Sequence, residues 1–104
     1  MRNVYVVHDR GGMDFNDAAK YGALSTIFSG HSPFDIREAY RRCLEVFSKG
    51  SEQDWVVPCG QQGLNIAAAM AFYHTWGRLN LLVFHATRRE YVPQELSGLE
   101  VLKK

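Results

Sequence analysis

Cys59 stands in the run Pro58-Cys59-Gly60-Gln61-Gln62-Gly63, between a short apolar stretch and an alanine-rich one. A thiol at the start of a helix could act as a nucleophile, because the positive end of the helix lowers its pKa. Such chemistry needs a base within hydrogen-bond reach, and His8 and His85, each at the end of an apolar run, are the natural candidates. The same run offers a second chemistry. Gly60 and Gly63, with Cys59, Gln61 and Gln62 around them, could turn free backbone N–H groups toward an anion or a nucleotide phosphate. His8 and Asp9 would join that ligand site if the first and third strands were neighbours. The pattern is not G-x-G-x-x-G and no G-K-[ST] follows, so a tight strand-to-helix connection is the simpler reading.

Two further groups could meet a partner. Arg88 and Arg89, followed by Tyr91, could grip phosphate, RNA or an acidic protein, although a charged hairpin loop explains them as well. Trp55, Tyr73 and Trp76 could form an aromatic patch, with Tyr73 and Trp76 on the same helix. His31, His74 and His85 have no spacing that suits a metal, and no cysteine or carboxylate pair completes a ligand set. No metal and no cofactor is expected, and no complete catalytic constellation is present.

These residues must be positioned by an α/β framework. Val4–Val7 is a continuous β-branched and aromatic run, as in a strand covered on both faces. Residues 14–21 read as a short helix, with Asp14 as cap and Gly22 as terminator, and residues 23–28 as an edge strand. Ser32 as N-cap, Pro33 at the first helical position and Asp35 at the third mark the start of a helix ended by Gly50. Its apolar stripe is Ile36, Ala39, Tyr40, Cys43, Leu44 and Phe47. Trp55–Val57, the Cys59 turn and a helix over Gln62–Trp76 come next, then Gly77 and a strand over 79–84. That order is a right-handed βαβ unit. The second helix has almost no charged face, so it is either buried or packed against a partner. Residues 90–93 extend the sheet at an edge, where Pro93 is tolerated.

Size and composition set the class. The chain has 104 residues, enough for one domain with a core of its own. A hydrophobic share of 46% with 22% charged residues is that of a globular protein. A formal charge of +1 argues against a nucleic-acid binder that works mainly by electrostatics. Two cysteines, Cys43 and Cys59, cannot build a disulfide framework and read as free thiols in a reducing compartment. The first apolar run is too short for a signal peptide and no window reaches the length of a membrane span. An intracellular, soluble protein is expected.

Four pieces, in order along most of the chain, carry a resemblance: N-V-Y-V-V-H-D at the start, A-x-K-Y-G-x-L at 18–24, the strand-Gly-helix at 54–69, and G-R-L-N-L-L-V-F-H-x-x-x-R-x-E-Y at 77–91. Together they are similar to a group of small bacteriophage proteins with no established activity. Pro58-Cys59-Gly60 stands where that group carries Gly-Asp-Pro, so no shared ligand at the turn is implied. The resemblance implies a viral origin, a compact α/β domain and, for location, the cytoplasm of the infected host.

The expectation from residues and resemblance is one small α/β domain with about four strands, partly parallel, flanked by two main helices. The expected function is that of a non-enzymatic phage accessory protein that binds a protein partner or forms a homo-oligomer through the alanine-rich helix or an exposed strand. A small-ligand or nucleotide-binding domain using residues 54–76 is the alternative. Nucleic-acid binding through Arg88 and Arg89 would show steep salt dependence.

Overall fold

The computed structural model describes residues 2–30 and 35–97. Strand β1 (Asn3–Asp9) lies inside the sheet, with Val4 through His8 all buried. Beside it run β2 (Ala23–Ser29) and β3 (Trp55–Val57), both parallel to it. Next come β4 (Arg78–His85), parallel to β3, and β5 (Glu90–Ser97), antiparallel to β4. The order across the sheet is β2-β1-β3-β4-β5. The architecture is the expected α/β one, with five strands rather than four. The fifth comes from β5, which stays in register with β4 from Glu90 opposite His85 to Ser97 opposite Arg78. Pro93 falls on this edge strand, where a missing N–H costs little.

Helix α1 (Ile36–Ser48) and helix α2 (Gln62–Trp76) cover one face of the sheet. Their core joins Tyr5, Val7 and Val56 to Ala39, Phe47, Leu64, Ala68 and Phe72. Phe47 sits edge-on to both Tyr5 and Phe72, with ring centroids 5.2 Å apart in each pair. The alanines of α2 let the two helices approach closely. At Gly63 a Cβ would lie 2.6 Å from Ile36 Cδ1, so the bare backbone seats the first residue of α1. Cys43 is fully buried in this layer, and burial pushes its thiol up to about 11.

The opposite face carries Val4, Val6, Trp55, Val57, Leu82 and Tyr91, roofed by Ala18 with Phe15 and Tyr21 beside it. The roof is a 3-10 helix, Asn16–Tyr21, in place of the helix expected over 14–21. Two carboxylates explain the difference. Asp14 accepts the Asn16 N–H at 2.9 Å, a side-chain turn that delays the helix. Asp17 reaches across to accept the Tyr91 N–H at 2.8 Å, which fixes the segment to β5. The start of α1 also needs correction. Asp35 is its N-cap, accepting from the N–H groups of Arg37 and Glu38 at 3.0 and 3.4 Å, and does not occupy the third helical position. Ser32 and Pro33 lie outside the described residues.

At the amino-terminal edge of the sheet one carboxylate organises three segments. Asp54 is 1% exposed and accepts from Asn3 N, Ser51 N, Asn3 Nδ2 and the Tyr5 hydroxyl at 2.8, 2.8, 3.2 and 3.3 Å. Its own carbonyl accepts from Asn80 Nδ2 at 3.0 Å, bringing in β4. Burial, and after it the Asp54 carboxylate, pushes the Tyr5 phenol up to about 12. The folded state therefore holds the phenol neutral beyond the ordinary range near 10. The resulting stabilisation is intact below about pH 10 and is lost as pH rises through about 12. Melting temperatures taken from pH 9 upward are expected to fall over that window, and Tyr5→Phe is expected to remove this part of the fall. An identical alkaline profile for Tyr5→Phe would contradict the assignment.

Candidate functional site

Parallel strands with crossover helices place their loops at the carboxyl ends of the strands, and a ligand crevice opens where the strand order reverses. Here the chain steps from β1 outward to β2, then returns past β1 to β3, so the reversal lies between β1 and β3. The carboxyl ends there carry His8, Asp9 and the turn at 58–61. The sequence-predicted residues His8, Cys59, Gly60 and Gln61 do come together, and they close on one another.

His8 is 3% exposed and spans the crevice. Its Nδ1 accepts the Gln61 N–H at 2.9 Å, and its Nε2 lies 2.8 Å from the Gly30 carbonyl. An acceptor at Nδ1 and a carbonyl at Nε2 assign the neutral tautomer protonated on Nε2, from the hydrogen-bond pattern. The imidazole thus takes the place at the start of α2 where a phosphate oxygen would sit in a nucleotide-binding fold. Gly60, at φ +79°, makes room for it, since a Cβ there would lie 2.5 Å from His8 Cβ and Nδ1. Asp9 accepts the Gly11 N–H at 2.8 Å and so shapes its own loop. Gln62 is exposed, and Gly63 belongs to the α1 contact rather than to the turn.

Asn65 holds the turn from behind, and nothing in the turn motif pointed to it. Its Oδ1 accepts the Cys59 N–H, and its Nδ2 donates to the Cys59 and Gln61 carbonyls, all at 2.9 Å. The available signal was an amide in the first turn of an otherwise apolar helix. The Cys59 thiol faces the carbonyls of His8 and Val57 at 3.4 and 3.7 Å. Burial, first, raises its pKa more than the His8 carbonyl lowers it, so the thiol is held protonated instead of being activated by the helix.

A second concavity opens on the far face, at the carboxyl ends of β3 and β4. It comprises adjoining hollows of about 450 and 250 Å³ that share Asp14, Phe84 and Tyr91; Arg89 lines the larger and Cys59 the smaller. Tyr91 is held by its backbone, donating to Asp17 and accepting from the Tyr21 hydroxyl at 3.2 Å. Its phenol is raised by burial and then by Cys59, Asp14 and Asp17. Arg88 pairs with Glu90 across the β4–β5 turn.

The third feature lies on the helical face. Ile66, Met70 and Tyr73 of α2 are 53%, 60% and 38% exposed, and Ile36 of α1 is 42% exposed. Between them runs a trench made of two depressions of about 330 and 420 Å³ that meet at Tyr40 and Met70. Arg37 stands at one end and His74 at the other. The spacing Ile66, Met70, Tyr73 is one helical face, so the over-apolar helix is buried on one side and uncovered on the other. Trp76 instead packs against the helical core, and its indole N–H has no partner among the described residues. Tyr73 and Trp76 therefore sit beside the start of β4, and Arg88 and Arg89 just beyond its end. The eight residues of β4 put them roughly 20–25 Å apart, on different surfaces.

Among the described residues, no three His, Cys, Asp or Glu side chains cluster as a metal site requires. No helix there is long and apolar enough to cross a membrane. No curated protein and no solved structure matches the chain. One family does: residues 2–97, nearly the whole sequence, match the phage Pam3 gp32-like proteins. That span contains every strand and helix described above, and the chain belongs to the phage Pam3 gp32-like protein family, a family of small phage proteins.

Proposed function

We propose that this phage accessory protein works by protein–protein contact, and that the trench between α1 and α2 receives an amphipathic helix of a partner. The observation that carries the reading is the trench itself, with apolar walls supplied by two helices at i, i+4 and i+7 spacings. Such walls match the ridge of a third helix, the helix-in-groove mode of recognition. Contiguous exposed apolar surface of this kind marks an interaction site more often than a free surface. Charge narrows the partner further. Arg37 and His74 flank the trench and, among the described residues, no carboxylate lines it, so a helix with acidic flanks fits best. The turn at 58–63 supports a nucleotide less well, because His8 already takes the Gln61 N–H and the space above Gly60.

The test places a photoreactive residue at position 70 of the protein made during phage infection. The expected result is an adduct, identified by mass spectrometry, whose cross-linked peptide is an acidic amphipathic segment. Ile66→Glu is expected to abolish that adduct and Arg88→Ala to leave it. Met70→Glu, on an exposed helical position, is expected to shift folding stability by less than about 0.5 kcal/mol while removing the interaction. No adduct, or one indifferent to Ile66→Glu, would refute the trench as the docking site.

A further inference from the structure

The concavity on the far face has two halves of different chemistry. The smaller hollow is walled by Met13, Pro58, Cys59 and the rings of Phe84 and Tyr91, with Asp14 beside them. The larger one carries charges of both signs, Asp14 and Asp17 against Arg89. Phe84 belongs to both. It lies on the face that holds the buried Leu82, yet it is 50% exposed, with its ring tilted against Tyr91 at a centroid distance of 5.1 Å. Arg89 is the one non-glycine residue in the left-handed region among the described residues, at φ +54°. Glycine is the usual occupant of such a position in a hairpin loop, and a strained residue of this kind points to a use for its side chain. Arg88 beside it pairs with Glu90, but the Arg89 guanidinium has no partner among the described residues. Asp17 is engaged by the Tyr91 N–H and by Lys20 at 3.2 Å, whereas Asp14 holds only the Asn16 N–H among the described residues.

We infer that the concavity is a binding site for an aromatic α-amino acid, with the ring in the smaller hollow and the charged end in the larger. The ammonium donates to Asp14, and the carboxylate accepts a paired contact from Arg89. An α-amino acid carries both charges on one carbon, so both fall within one hollow while the side chain enters the other. A phosphate fits less well, since it would share the larger hollow with two carboxylates. The walls of the smaller hollow favour a ring over an aliphatic chain. Phe84 and Tyr91 offer edge and stacked contacts, and the sulfur atoms of Met13 and Cys59 suit an aromatic neighbour. Taken together, the two hollows fall in the size range of small-molecule sites. They also lie at the carboxyl ends of the parallel strands β3 and β4, where α/β sheets receive ligands. The site stands independently of the trench, which lies on the helical face.

The test is a titration of the isotope-labelled full chain with L-phenylalanine, L-tyrosine and L-tryptophan, read from amide chemical shifts. At least one of them is expected to bind saturably in the millimolar range or tighter, with shifts centred on Asp14, Phe84, Arg89 and Tyr91. N-acetyl-L-phenylalanine and L-phenylalaninamide each lack one charge, and with inorganic phosphate they are expected to bind about tenfold more weakly or not at all. Glycine adopts the backbone of residue 89 freely, so Arg89→Gly is expected to raise the melting temperature while weakening the amino acid by about tenfold or more. Asp14→Asn keeps an acceptor for the Asn16 N–H and is expected to weaken binding to a similar degree. No saturable shift with any of the three amino acids would overturn the proposal. Equal affinity for a blocked compound or for phosphate, or binding that survives either substitution, would overturn it as well. A lower melting temperature for Arg89→Gly would show that the arginine serves the fold instead.

Discussion

Asp54→Ala will lower the melting temperature by about 15–25 °C. Removing the carboxylate leaves the Asn3 and Ser51 N–H groups and the Tyr5 hydroxyl without their acceptor at the amino edge of the sheet. A buried donor stranded in this way costs about 1–3 kcal/mol, and three of them together cost roughly 3–5 kcal/mol once the site relaxes and admits water. A small domain has only about 5–15 kcal/mol in total, so such a variant is close to unfolding at body temperature. Asp54→Asn keeps one acceptor oxygen and is expected to lose about half as much. Thermal unfolding by circular dichroism measures both. A fall of less than about 5 °C for Asp54→Ala would mean that the carboxylate does not organise the three segments.

Gly60→Ala is the second large effect, and its cause is different. The backbone there is left-handed at φ +79°, which costs an alanine about 1–2 kcal/mol, and the new methyl group would lie 2.5 Å from His8 Cβ. The strain falls on the contact that keeps His8 against the start of α2. A total of about 3 kcal/mol is expected from urea unfolding. The two contributions separate in a double-mutant cycle. In a His8→Gly background the contacts with both the Cβ and the imidazole are removed, and Gly60→Ala should then cost only its backbone share. Strict additivity of the two substitutions would show that glycine is needed for its dihedral angle alone.

Much of this architecture was legible from pattern. The V-Y-V-V run, the Gly-bounded helix at 62–76 and the edge position of Pro93 each follow from a local rule that tertiary structure did not override. The 3-10 helix was harder to see, because its geometry is set by Asp17 reaching a strand 74 residues away. At the candidate site the sequence brought His8 and the glycine turn together correctly. It did not show that the imidazole fills the crevice, since that depends on Gly30 and Gln61 presenting a carbonyl and an N–H on opposite sides of one ring. Asn65 was hidden for a similar reason, as one of few polar residues in a helix noticed for its alanines. The apolar excess of that helix was plain in the sequence. Which side of it stayed uncovered depended on where α1 lay, through Ile36 and Tyr40.

The position of β1 between β2 and β3 also has a consequence for how the protein is made. Its neighbour β2 follows after only a short connection, but β3 pairs with it through Val4–Trp55, so about fifty residues separate the partners. On a ribosome adding roughly 5–20 residues per second, the strand with the most buried residues waits several seconds for the partner on its other side. The β4–β5 hairpin, by contrast, closes locally as soon as its last residue emerges. Within this domain the strand that buries most residues is therefore made well before its second partner, whereas the hairpin that pairs locally needs no such wait.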